Sequence, residues 1–274
     1  MTKAILIGLG LLATAVAQDA SPRRVTLPFR DATAPRKLIV DGLTGNVSIK
    51  GYDGKDAIIE YTGRGTFFNR GVSAPPPAGM RRLSPDRNDL NATEQNNVIR
   101  VNGAILGRTD LTIQVPTETS VTVNVFAGDA ISIENISGEI EASNMAGPVT
   151  ITNSSGSVVA HSMSGKITAS LNKVTPDKSM SFSTMNGDIE VTLPADTKAR
   201  LKMKTYNGEI FTDTDFDVKS EPGDSPVQET RTYKGKTKVF RLRHGDGSSY
   251  ATINGGGPEY QFTTFNGHIL IHKK

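Results

Sequence analysis

Glycine returns every nine residues through the middle of this 274-residue chain, and each time it opens the same short phrase. Gly138-Glu-Ile-Glu-Ala is followed by Gly147-Pro-Val-Thr-Ile, Gly156-Ser-Val-Val-Ala and Gly165-Lys-Ile-Thr-Ala. Inside the phrase, apolar and polar residues alternate, which is the period of a strand with one face on a core. The glycine marks a turn at a backbone position that a β-carbon disfavours. Turn and short strand at a constant interval describe a chain that coils and stacks on itself. An antiparallel sandwich also gives short strands and regular turns, but the constancy of the step favours the coil. Neighbouring phrases between 138 and 171 are then expected to lie as adjacent layers.

The phrase recurs with wider spacing as Gly45-Asn-Val-Ser-Ile, Gly187-Asp-Ile-Glu-Val, Gly208-Glu-Ile-Phe-Thr and Gly267-His-Ile-Leu-Ile. Three copies share a longer form: Thr184-Met-Asn-Gly-Asp-Ile, Thr205-Tyr-Asn-Gly-Glu-Ile and Thr264-Phe-Asn-Gly-His-Ile. Asn-Gly suits tight turns with positive φ. The steps of 22 and 21 residues from Gly165 to Gly187 and on to Gly208 read as one turn of coil each. Val47, Ile49, Ile140, Val149, Ile151, Val158, Ile167, Ile189, Val191, Ile210, Ile269 and Ile271 fall on the inward face. The expected fold is all-β: a single-stranded, right-handed β-helix-like solenoid of short strands with two long insertions.

Met1-Thr-Lys3, the apolar run Ala4–Ala13 and Ala15-Val-Ala17 have the layout of a signal peptide over residues 1–17. The run is too short for a comfortable membrane span of ~20 residues, so the mature chain is expected to be secreted, periplasmic or extracellular, with no membrane span. Residues 18–36 read as a polar leader and 37–274 as the β-helix-like domain. The pattern breaks twice, at about 64–97, with its Ala74-Pro-Pro-Pro-Ala-Gly, and at 212–247. Long breaks of this kind are surface loops or functional excursions. The final strand at Ile269-Leu-Ile271 is expected to dock on the coil and cap it.

Candidate chemistry is sparse. Without cysteine the chain has neither disulfides nor thiolate metal sites. Calcium-binding coils need an acid at a fixed offset in each repeat, whereas Glu139, Pro148, Ser157 and Lys166 follow these glycines. His268 and His272 lie on one strand with backbones ~13 Å apart, too far to share a zinc ion, and read as solvent-facing. Glu139/Glu141 and Asp188/Glu190 are outward neighbours with roughly the separation of glycosidase acids, but alternating outward charge is what any solvated strand shows. A basic stretch carrying Arg231, Lys234, Lys236, Lys238, Arg241 and Arg243 is the candidate contact for an anionic polymer or lipid head group. Its alternative is a solvated edge whose lysines discourage strand-to-strand aggregation. Met145, Met163, Met185, Tyr206 and Phe265 each stand two before a repeat glycine, a recurrence that core or corner packing explains more simply than a binding stripe. The net charge of +3 rests on 31 cations against 28 anions, which does not point to nucleic acid.

The Thr-x-Asn-Gly-x-Ile units, the glycine steps from Gly138 to Gly165, Gly255-Gly-Gly257 before the last unit and the signal-peptide layout together resemble an adhesin-like family of bacterial envelope proteins. That is a domain family of unknown function with a glycine-stepped β-helix. The resemblance runs from about Lys37 to the end, outside the two excursions. It implies surface attachment, and the expected protein is a non-enzymatic envelope scaffold or adhesion module, without cofactor, whose partner is a cell-envelope or surface component such as a polysaccharide. It supplies no catalytic or binding residue. The alternatives are a polysaccharide-binding or polysaccharide-cleaving protein using an outward sheet face, and a self-assembling element associating through its coil ends.

Overall fold

Backbone pairing joins each phrase to the next but one. Ile140 lies opposite Val158, and Val149 opposite Ile167, 18 residues on in both cases. Phrases nine apart therefore belong to different sheets and face each other across the interior. The nine-residue beat counts half a coil, and the layers are alternate phrases rather than neighbouring ones. Two adjacent phrases make one coil, which buries both apolar faces at once.

The computed structural model describes residues 22–64, 90–103, 108–127, 129–213, 218–220, 237–239 and 248–274. The chain begins with β1 (Arg23–Pro28), β2 (Arg36–Leu43), β3 (Val47–Tyr52) and β4 (Asp56–Arg64). It continues through β5 (Asn91–Gln95), β6 (Val98–Asn102) and β7 (Arg108–Pro116). The regular array holds β8 (Thr119–Val125), β9 (Ile131–Glu134), β10 (Ile140–Asn144), β11 (Val149–Gly156), β12 (Val158–Ser162), β13 (Ile167–Val174), β14 (Met180–Asn186) and β15 (Ile189–Leu193). The remainder is β16 (Ala199–Asn207), β17 (Ile210–Asp213), β18 (Val218–Ser220), β19 (Thr237–Val239), β20 (Ser249–Ile253), β21 (Glu259–Asn266) and β22 (Ile269–Lys273). Among the described residues these form two eleven-stranded sheets, and the chain is the all-β, solenoid-like fold its repeat implied.

Stacking order departs from chain order at both ends. Along the stack the coils run β6–β7, β2–β3, β8–β9, β10–β11, β12–β13, β14–β15, β21–β22 and β16–β17. The C-terminal coil is thus inserted between β14–β15 and β16–β17: Ile269 pairs with Ile189 on one side and Ile210 on the other. The step from Gly165 to Gly187 is one turn of coil, with Ile167 opposite Ile189. The step from Gly187 to Gly208 is not, because the C-terminal coil lies between those phrases. Nor does the last strand cap the stack. The ends are closed by antiparallel strands: β4 on β7 with β1 outside it, β5 on β6, β20 on β16, and β19 on β17.

The interior is built from columns of like residues. One runs Val47, Ile131, Val149, Ile167, Ile189 and Ile269, all essentially without exposure. Full burial of each such side chain contributes roughly 1.5–3 kcal/mol. Every inward position read from the sequence is buried except Ile210, which is half-buried in the last coil. In the facing sheet Ala142 and Ala160 give way to Phe182 and Phe262, whose rings stack 5.2 Å apart.

Residues 1–17 and most of both excursions lie outside the described residues. Within the expected leader, Arg23–Pro28 is a strand on β4. Within the expected first loop, Asn91–Gln95 is a strand that turns through Asn96 and Asn97 at φ 54 and 61 into β6.

At Gly165 and Gly208 it is the distance between layers, not φ, that requires glycine. A β-carbon on Gly165 would sit 2.4 Å from the Gly147 carbonyl, and one on Gly208 1.9 Å from the Gly267 carbonyl oxygen, neither at positive φ. Gly255, at φ +86, has open space around it. Gly165→Ala should therefore cost about 3 kcal/mol or more, since backbone must shift, against about 1 kcal/mol for Gly255→Ala. Denaturant unfolding of the two variants checks this, and equal losses would mean that layer contact is not what requires glycine at position 165.

Candidate interaction surface

At the corner after β12, β14, β21 and β16, a contact to the neighbouring layer is repeated beside one outward side chain. Buried Ser162, Thr184 and Thr264, and half-buried Thr205, donate their hydroxyls to the glycine carbonyl of the neighbouring layer, at 2.9–3.0 Å: Gly147, Gly165, Gly187 and Gly267 in turn. Two residues on, Asn266 donates to the Asn186 amide oxygen, and Asn207 to that of Asn266, both at 2.8 Å. Thr and Asn of the shared motif are thus two hydrogen-bonded ladders, and the residue between them has no inward place to go.

That intervening residue forms a row. Phe126, Met145, Met163, Met185, Phe265 and Tyr206 follow one another along the stack, one per coil, with 64, 42, 40, 53, 47 and 58% of their surfaces exposed. Corner packing, the simpler expectation for the row, does not describe it. At its end the Phe265 and Tyr206 rings lie 5.0 Å apart, and the Lys204 ammonium sits 5.0 Å from the Tyr206 ring. Layers spaced ~4.8 Å apart make the row roughly 24 Å long. Phe126, in a coil lacking the Thr-x-Asn form, escaped sequence reasoning, although it stands two before Gly128 as the others do before their glycines.

The other candidates are occupied or lie elsewhere. Arg231, Lys234, Lys236, Arg241 and Arg243 are outside the described residues; Lys238 lies on β19, opposite Thr212 of β17. His268 and His272 are half-buried rather than solvent-facing. The Glu209 amide donates to His268 Nδ1 at 3.1 Å, while His272 lies between Asp213 at 3.1 Å and Glu190 at 3.6 Å. Glu190 also pairs with Lys166, Glu139 with Lys178, and Asp188 accepts the His268 amide. Among the described residues, no group of three or more His, Asp or Glu is placed to hold a metal ion. An open cleft of about 160 Å³ between β1, β4 and β7 contains Glu60 and Asp110. Glu60 is near Arg24, and Asp110 accepts the Asn46 amide. A hydrogen bond from Arg108 to Asp129 raises the guanidinium pKa, and burial pushes the Tyr260 phenol up. Neither group faces the row's middle.

The half-coil phrase, the glycine column and the facing sheets are now defined over β8 to β17. Residues 119–247 match the Toastrack DUF4097 family. The Toastrack match covers the regular array and the coil that follows it, and agrees with the domain family of unknown function that the repeat resembles. No curated protein matches the chain. Among solved structures, a Clostridium sporogenes ATCC 15579 protein named for cell adhesion is 10% identical, covering 92% of this chain and 100% of that one, with a TM-score of 0.43. A Bacteroides fragilis NCTC 9343 protein named an adhesin is 10% identical, covering 92% and 97%, with a TM-score of 0.25. Likeness at these scores says nothing of what the chain binds. Among the described residues no helix is long and apolar enough to cross a membrane.

If Thr264 holds the corner and Phe265 does not, Thr264→Val should lose about 1–2 kcal/mol and Phe265→Ser less than about 0.5 kcal/mol of stability. Thermal and denaturant melts of both variants decide it; a larger loss for Phe265→Ser would make the row a structural element.

Proposed function

We infer that this Toastrack chain is a non-enzymatic, adhesin-like scaffold of the cell envelope and that the exposed corner row is its contact surface. The observation that carries the reading is the row itself. Six large apolar side chains stand exposed in six successive coils, and at Met163, Met185, Phe265 and Tyr206 a corner hydrogen bond to the neighbouring layer flanks them. Contiguous exposed apolar surface marks an interaction site more often than chance, and methionine adapts its shape to a partner at little cost. The engaged carboxylates Glu139, Asp188 and Glu190 support a non-enzymatic role. Export follows from the signal-peptide layout of residues 1–17. End-to-end assembly is the weaker reading, because antiparallel strands close the parallel stack and the outermost β1 ends in Pro28, which cannot extend a ladder.

Replacing Met163 and Met185 with serine should lower binding of the chain to isolated envelope fractions by about tenfold, as for a central interface patch, while melting stays unchanged. Co-sedimentation with the fractions, paired with sizing, measures both. Undiminished binding by the double variant would remove the row from the contact surface.

A further inference from the structure

On β16 every outward position is a cation until the corner, where it becomes a ring. Arg200, Lys202 and Lys204 alternate along the strand, Lys198 precedes them and Tyr206 ends the line. Alternate residues on a strand lie ~6.6–6.8 Å apart, so Lys198 to Tyr206 spans ~27 Å. Rings on either side hold the cations in place: the Arg200 guanidinium lies 4.8 Å, and the Lys202 ammonium 5.8 Å, from the Tyr250 ring, and Lys204 stands 5.0 Å from Tyr206. On the flanking strand β21 the outward residues are Glu259, Gln261, Thr263 and Phe265. Glu259 is the one carboxylate among them, 3.8 Å from Arg200 and also accepting from Gln261. Among the described residues, four cations thus meet one anion on this face.

We propose that the β16 face binds an acidic polysaccharide laid along the strand. Three chemistries coincide there, and together they select that class. The cation row meets carboxylates spaced along a polymer. The paired Tyr206 and Phe265 rings, both exposed, offer a platform for the apolar face of a sugar ring. The amides of Asn207 and Asn266 beside those rings, with Gln261 and Thr263, suit a hydroxyl-rich chain; Asn207 makes one ladder bond and Asn266 two, and an amide has hydrogen-bonding capacity beyond these. Single-stranded nucleic acid shares the first two features. It is disfavoured by the short row and by a charge balance of only +3 over the whole chain. The site is separate from the middle of the corner row and shares with it only Tyr206 and Phe265, so the two readings stand or fall apart.

Calorimetric titration of the full chain with polygalacturonate, neutral dextran and single-stranded DNA tests the proposal at low and moderate salt. Polygalacturonate should bind and dextran should not. Reversing two charges, with Lys202→Glu and Lys204→Glu together, should weaken binding by about tenfold or more with the melting temperature retained. Tyr206→Ala should weaken it about fivefold while leaving the salt dependence unchanged. Met163→Ser with Met185→Ser, which disables the corner row, should leave polygalacturonate binding intact. No binding, equal binding of dextran, tighter binding of DNA, or indifference to the charge reversal would each overturn the assignment.

Discussion

Layers of backbone meet at the glycine corners more closely than any side chain allows. Along the column Gly147, Gly165, Gly187, Gly267 and Gly208, a β-carbon on any of the last four would fall 1.9–2.5 Å from the backbone of the glycine before it. That approach brings the carbonyl of one corner within reach of the threonine or serine hydroxyl of the next layer, and aligns the asparagines into an amide ladder. With both polar partners held, the residue between them faces solvent at Met185, Phe265 and Tyr206. The exposure of that half of the row is therefore a consequence of how the corner closes.

The same contacts explain an order that chain connectivity alone does not suggest. The three coils with the Thr-x-Asn-Gly form are spatial neighbours, β14–β15, β21–β22 and β16–β17, because their ladders fit one another. Joining Ile189 to Ile269 spans 80 residues of chain, and the coil at β16–β17 has its neighbour only once the C-terminus arrives. Pairing over such separations carries a large loop-closure cost and slows folding. The N-terminal end mirrors the arrangement, with β2–β3 lying between β6–β7 and β8–β9.

Much of the architecture was legible in the nine-residue beat, because alternation and turn chemistry are local. The inward residues were read correctly down to Ile271, with Ile210 alone left half-buried. Layer pairing was not legible, since a period of nine fits either neighbouring or alternate phrases as partners. The inserted C-terminal coil left one trace, the Thr-x-Asn-Gly form shared by 184, 205 and 264, which carries adjacency only when the ladders are known. At the surface, Met145, Met163, Met185, Tyr206 and Phe265 were visible as a recurrence, but their exposure depended on hydrogen bonds at the corner. The cations of β16 were unremarked because Arg200, Lys202 and Lys204 read as an ordinary solvated strand face. Only the sheet places Tyr250 and Phe265 beside them.

Since the chain has no cysteine, introduced pairs report on layer order without interference. Ser183 of β14 lies opposite Thr263 of β21, and Thr263 opposite Lys204 of β16. Adjacent strands are ~4.8 Å apart, within disulfide reach, whereas strands two apart, at ~9.6 Å, exceed the ~7 Å limit between Cα atoms. Under mild oxidation, Ser183→Cys with Thr263→Cys should form a disulfide within one chain, and Ser183→Cys with Lys204→Cys should not. A bridge in the second pair and none in the first would mean that the coils stack in chain order, contradicting the arrangement on which the corner ladders and the exposed row rest.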